Sequence, residues 1–219
     1  MNIFVTMNKE IKKEATVISA TGLWCEILTD TGDVIKCRIK GNMRIKGIKS
    51  TNPVAVGDRV VYTCDKEGND GVITQVCDRR NYIVRRSVNL SKRTHILAAN
   101  IDMAFVVVTL AMPATTTTFI DRILASCRAY GIDATLVLNK MDIYTPEGID
   151  AVGELRELYE KIGYPTITTS TITGEGIDEL REAMKDKTCM FTGHSGCGKS
   201  SLINAVEPSL DIRTGEISS

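Results

Sequence analysis

Apolar and polar positions alternate along the first third of the chain, and the period then changes. The alternation is plain in Val34-Ile35-Lys36-Cys37-Arg38-Ile39. By period and residue type, 14–20, 23–28, 33–38, 58–64 and 71–77 read as short strands. Turn chemistry separates them at Thr29-Asp30-Thr31-Gly32 and Glu67-Gly68-Asn69-Asp70-Gly71. Five short strands without a helix predict a small closed all-β barrel over 1–80. An OB-fold is expected, and an SH3-like barrel is the alternative that sequence separates poorly. Residues 81–99, with Arg85, Arg86, Lys92 and Arg93, read as a linker.

From Ile101 strands alternate with helices. Residues 101–109 form a nearly continuous apolar run, as in a strand buried on both faces. Residues 118–130 place Phe119, Ile120, Ile123, Leu124 and Cys127 on one helical stripe, with Gly131 as the stop. A strand is expected at 133–138. A helix opening at Pro146 or Glu147 carries Val152, Leu155, Leu158 and Ile162. Further elements are a strand at 166–168, a helix at 177–185, a strand at 188–191 and a helix at 199–206. This alternation predicts an α/β domain over 100–219, a parallel sheet covered by helices.

Bulk properties narrow the classes. The 219 residues carry 27 basic and 27 acidic side chains, so any attraction to nucleic acid must be local. No apolar run reaches the length of a membrane span, and Lys9, Lys12 and Lys13 are followed by no apolar core of a signal peptide. The seven cysteines include no C-x-x-C pair. That favours reduced thiols in a cytoplasm and argues against a zinc site within this chain.

Two motifs carry chemistry. Gly193-His194-Ser195-Gly196-Cys197-Gly198-Lys199-Ser200 fits G-x-x-x-x-G-K-[ST], between an apolar strand and a helix. Backbone N–H groups of such a loop cradle phosphates, with the helix dipole behind them. Lys199 is expected to reach the β- and γ-phosphates and Ser200 to ligate Mg²⁺. Asn139-Lys140-Met141-Asp142 fits N-K-x-D and follows a strand, the place where open α/β sheets bind ligands. The Asp142 carboxylate can accept from both N–H donors on guanine's edge, which adenine lacks. Asn139 can address the guanine carbonyl side and tie loops together, and the Lys140 stem can lie along the base. Each charged hydrogen bond is worth about 1.5–3 kcal/mol, enough for discrimination against ATP. In an ordinary Ras-like GTPase the phosphate loop comes first. Here N-K-x-D precedes it by about fifty residues, which points to a circularly permuted GTPase.

Weaker signals surround these. Thr169-Ser170-Thr171-Ile172-Thr173-Gly174 has the position of the loop usually written S-A-K, whose backbone N–H meets the guanine carbonyl; Thr171 replaces the usual Ala. Lys36, Arg38, Lys40, Arg44, Lys46 and Lys49 form a basic stripe without an acidic residue, suited to RNA phosphates. Trp24, Tyr62 and Tyr82 are the nearby aromatics, few enough to favour backbone or shape contacts over stacked readout. His194 is expected to matter through its backbone, His95 lies in the linker, and neither is given a catalytic role.

Taken together the chain resembles the YjeQ/RsgA family of circularly permuted, small-ribosomal-subunit-dependent GTPases. The matching stretches are Val56-Gly57-Asp58, Asn100-Ile101-Asp102, Asp121-Arg122, Leu138 to Asp142, Thr173-Gly174-Glu175-Gly176, and Ser195 to Asn204, which includes Ser201 of the phosphate site. The resemblance implies GTP hydrolysis stimulated by the small subunit, a role in its late maturation, rRNA and the subunit as partners, a monomer, GTP/GDP and Mg²⁺ as ligands, and no membrane. The family's C-terminal zinc domain has no counterpart here. Thr214-Gly215-Glu216-Ile217-Ser218 resembles the approach to the first switch, and no D-x-x-G follows the phosphate loop. A shortened GTPase domain with an unpaired phosphate-loop strand is therefore expected, with the water-positioning residue unassigned. The competing readings are an RNA-binding module with a non-hydrolysing nucleotide site, and a metabolic P-loop kinase, which Asn139 to Asp142 disfavour.

Overall fold

The structure, a computed structural model, describes residues 13–40, 53–64, 70–86 and 94–213, which group into two compact units, Met1–Asn100 and Ile101–Ser219. In the first unit, β1 (Lys13–Thr21), β2 (Trp24–Thr29), β3 (Val34–Ile39), β4 (Arg59–Cys64) and β5 (Asp70–Val76) close into a barrel. The order is β1-β2-β3-β5-β4, with β3 parallel to β5 and β1 closing on β4. This is the OB arrangement, and it sets aside the SH3-like alternative. Alternation puts Ala15, Val17, Cys25, Ile27, Cys37, Val60, Tyr62 and Ile73 inside. Tyr62 is therefore core, 2% exposed, and is not the stacking partner its sequence position suggested.

Residues 81–99, expected as a linker, instead contain β6 (Tyr82–Arg86) and β7 (Thr94–Ala99), an antiparallel pair. It is fastened to the barrel turn at 56–58. Ala99 N–H donates to Val56 O at 2.9 Å, Asn100 Nδ2 donates to Gly57 O at 2.9 Å, and Val56 bridges Ala98. The same turn carries a buried pair: Arg79 donates from Nε and Nη2 to the Asp58 carboxylate, both at 2.7 Å. The Asp58 side chain is fully buried and also accepts from Ala55 N–H. Breaking such a pair from one side costs several kcal/mol, because it strands the other charge.

The second unit holds a parallel sheet of β8 (Met103–Val108), β9 (Asp133–Asn139), β10 (Thr166–Thr169) and β11 (Cys189–Thr192), in the order β10-β9-β8-β11. Its helices are α1 (Thr117–Ala129), α2 (Pro146–Lys161), α3 (Ile177–Met184) and α4 (Lys199–Val206). Every residue from Ala104 to Val108 is 0% exposed, as the apolar run predicted. Each fully buried Val or Phe contributes about 1.5–3 kcal/mol. Asp102 fastens the start of β11, its carboxylate accepting from Thr188 N–H at 2.8 Å. Strand order runs outward from β8 to β10 and then reverses to β11, so the crevice between the carboxyl ends of β8 and β11 is a topological switch point. Among the described residues β11 pairs only with β8.

One helix differs from its predicted face. In α2 the buried residues are Val152 and Tyr159, while Leu158 and Ile162 are 50% and 58% exposed. Tyr159 donates to the Asp121 carboxylate of α1 at 2.8 Å. That bond turns the aromatic inward and rolls Leu158 and Ile162 outward.

Candidate functional site

The phosphate-loop residues form the tight turn between β11 and α4. Gly193, Gly196 and Gly198 all have positive φ. Two of these positions exclude a side chain for a second reason. A Cβ on Gly198 would stand 2.4 Å from Asn139 Nδ2, and one on Gly193 would stand 2.5 Å from Val107 O. The loop is thus pressed against the carboxyl ends of β8 and β9. Lys199, first residue of α4, folds back over it, donating to Gly193 O at 3.1 Å and His194 O at 2.6 Å. Cys197 is 0% exposed and Ser195 exposed. Ser200 and Ser201 sit half-buried on the first turn of α4, and the Ser200 hydroxyl makes no hydrogen bond among the described residues.

The N-K-x-D residues lie directly beside this turn. Asn139, 2% exposed, donates from Nδ2 to Cys197 O at 2.9 Å and accepts at Oδ1 from the Thr169 hydroxyl at 2.9 Å. One side chain therefore ties the ends of β9 and β10 to the phosphate loop. Lys140 has φ of 67°, turns the chain sharply after β9, and donates to Met112 O. Asp142 is exposed, and one carboxylate oxygen accepts from the buried Ser170 hydroxyl. Ser170 Oγ in turn accepts from Ile172 and Thr173 N–H, both at 3.2 Å. The Asp142 carboxylate is thereby aimed while its second oxygen stays open. Thr171 is half-buried in the same turn, so its bulk over Ala is accommodated.

Two side-chain roles that the motifs did not mark belong to this site. Tyr144 donates to Asn139 O at 3.0 Å and accepts from Leu110 N–H at 2.9 Å. Burial pushes its phenol pKa up, so it stays a neutral donor. The ring of His194, expected to be incidental, stacks on Phe119 of α1, with centroids 3.9 Å apart. Neither had a sequence signal, because both contacts join segments distant in the chain.

On the barrel, Lys36, Arg38 and Lys40 are exposed along β3 and just after it. Lys36 and Arg38 both lie over the Trp24 ring, at 5.0 and 5.2 Å from its centroid. Trp24 is thus the aromatic that belongs to the stripe, and Tyr82 is half-buried on β6. Arg44, Lys46, Lys49 and the stretch from Thr214 to Ser218 lie outside the described residues. Among the described residues no three His, Cys, Asp or Glu side chains gather as metal ligands, and no helix is long and apolar enough to cross a membrane.

Comparison with known proteins agrees with this geometry. The model of the RsgA GTPase family matches residues 76–219, and that of the RsgA N-terminal domain matches residues 14–73. A relative in Bacteroides fragilis, called small ribosomal subunit biogenesis GTPase RsgA, is 52% identical over 202 residues, 92% of this chain and 65% of its own length. One of the same name in Christiangramia forsetii is 50% identical over 207 residues, 94% of this chain and 66% of its own. The chain thus spans just under two thirds of these relatives. The crystal structure of YjeQ from Thermotoga maritima is 37% identical with a TM-score of 0.75, over 94% of this chain and 68% of that one. YloQ, titled a circularly permuted GTPase, is 27% identical with a TM-score of 0.68, over the same shares. By both family models, these identities and the shared fold, this chain belongs to the RsgA GTPase family.

Proposed function

We propose that the protein binds GTP and GDP, hydrolyses GTP, and acts in late maturation of the small ribosomal subunit. One observation carries the nucleotide reading: Asn139, at the head of the proposed guanine-reading turn, donates to the phosphate loop at Cys197 O and accepts from the Thr169 hydroxyl at the end of β10, both at 2.9 Å. Base and phosphate groups would then be gripped by one preorganised frame. Asp142 accepts from the guanine edge, Lys140 lies along the base, and a backbone N–H at Ser170 or Thr171 meets the carbonyl. Residues 193–201 hold the phosphates, with Lys199 moving from loop carbonyls to phosphate oxygens. The Ser200 hydroxyl suits a hard cation such as Mg²⁺, which when bound would neutralise phosphate charge. The subunit as partner is supported by the relatives' names. Contact with rRNA is supported by Lys36, Arg38 and Lys40 beside Trp24, with Arg44, Lys46 and Lys49 extending the same stripe in sequence. A monomer working in the cytoplasm fits these roles.

The decisive experiment is nucleotide competition. GDP should bind well above ADP, and Asp142→Asn should weaken GDP and favour the xanthine nucleotide, because an amide donor replaces a carboxylate acceptor. Equal affinity for ADP and GDP removes the guanine assignment. For the barrel, reversing Arg38 and Lys40 to Glu should lower affinity for small subunits and flatten its salt dependence while GDP binding stays unchanged. Unchanged subunit affinity reduces the stripe to a solvated surface.

A further inference from the structure

The connection between β8 and α1 touches both halves of the nucleotide frame. At one end Tyr144 joins Leu110 N–H to Asn139 O, and Lys140 Nζ donates to Met112 O. The connection is closed on itself. Thr109 Oγ1 donates to Pro113 O, Thr115 N–H donates to Thr109 O at 2.8 Å, and Thr109 N–H donates to Thr115 Oγ1 at 3.2 Å. Such a ring of bonds moves as a piece. It then enters α1 through the Thr116 cap, whose hydroxyl accepts from Phe119 N–H at 3.3 Å. The helix is anchored by Ile120, Leu124 and Cys127, all buried. At the other end the Phe119 ring lies against His194, whose carbonyl receives Lys199 Nζ.

We propose that residues 109–119 form a strap that couples guanine recognition to the phosphate loop, with Tyr144 and Phe119 as positioning residues at its two ends. This deepens the nucleotide reading above and rests on it. Neither residue needs to touch the nucleotide. A base seated on Lys140 and Asn139 braces the strap through Met112 and Tyr144. The braced strap holds α1, and Phe119 holds His194 and, through it, the carbonyls that compete with phosphate for Lys199. The strap runs in parallel with the direct link from Asn139 to Cys197 O, so it strengthens a coupling that link begins.

Dissociation of a fluorescent GDP from the whole chain tests the strap by a double-mutant cycle. Tyr144→Phe deletes one hydroxyl, and Phe119→Leu removes the ring but keeps an apolar helix residue. Each should raise the rate about fivefold, the size expected for one lost bond or ring contact. Combined, they should still give about fivefold, not the roughly twenty-fivefold of independent sites. His194→Ala probes the same stack from the loop side and should match Phe119→Leu. Phe119→Leu should also narrow the preference for GDP over inosine diphosphate, although it lies at the phosphate end; a merely local loss would leave that preference intact. Multiplicative rates, or an unchanged GDP-to-inosine-diphosphate ratio in Phe119→Leu, overturn the strap while the nucleotide reading stands. A wild-type chain that binds no guanine nucleotide removes both.

Discussion

Gly198 concentrates two constraints in one residue. Its φ is 97°, and a Cβ there would stand 2.4 Å from Asn139 Nδ2. Gly198→Ala must therefore strain the turn or push Asn139 out of its bonds to Cys197 O and Thr169 Oγ1. A buried amide left unsatisfied costs about 1–3 kcal/mol, so GDP affinity should fall roughly five- to 150-fold. Asn139→Ala should cause a similar loss, and the pair together little more. Unaltered GDP affinity in Gly198→Ala, measured by titration calorimetry, would refute the idea that this close approach shapes the site. The glycine, the lysine and the N-K-x-D residues are all legible from spacing, because each belongs to a motif of fixed order, and the fold brings them to one turn. Tyr144, Ser170 as the holder of Asp142, and the His194 ring on Phe119 gain their roles from the fold. No local pattern encodes a contact between residues 75 positions apart in sequence, as for Phe119 and His194.

At the scale of elements, strands with alternating or continuous apolar runs were legible to within a residue or two. The strand predicted at 71–77 is Asp70–Val76, and the helix predicted at 199–206 is Lys199–Val206. The pair β6–β7 is not legible in the sequence because its neighbouring arginines and lysines resemble a solvated linker, while the barrel turn that pairs with it lies some forty residues upstream. The α2 face is not legible either, because the 3.6-residue period cannot tell which of two adjacent stripes meets a partner such as Asp121. The barrel strands carry a testable titration. Cys25 and Cys37 are partners across β2 and β3, both buried, and burial pushes their thiols up to about 11 and about 12. A folded pKa above the unfolded value stabilises the fold below the unfolded pKa, and this is lost as pH rises through the folded one. The barrel should therefore lose stability between about pH 9 and pH 11, as the unfolded thiols ionise and the folded ones cannot. Cys37→Ala should show a shallower alkaline loss in urea melts, although it starts from lower stability. Identical alkaline slopes in the two proteins would discount the thiols. A thiol reagent at pH 8 should likewise reach Cys25 and Cys37 only as fast as the barrel opens.

At the scale of the molecule, the two units have separate cores: one inside the barrel, the other between the sheet and its helices. The residues proposed to hold the nucleotide, Asn139, Asp142 and 193–201, lie in Ile101–Ser219, and Lys36, Arg38 and Lys40 lie in the first unit. A ligand that binds only the folded state stabilises what it binds, by RT ln(1 + [L]/Kd), which is about 2.7 kcal/mol at a hundredfold excess over Kd. GDP at that excess should slow hydrogen exchange about a hundredfold for amides of β8, β9 and β11 that exchange through unfolding of the second unit. Those of β1, β2 and β4 should exchange at their unliganded rates if the first unit, with its own core, opens independently. Residue-resolved exchange in the whole chain distinguishes the possibilities directly. Equal slowing in both sets would mean that the units unfold as one cooperative body. Slowing in neither, at any GDP concentration, would mean that the frame tied by Asn139 does not hold guanine nucleotide at all.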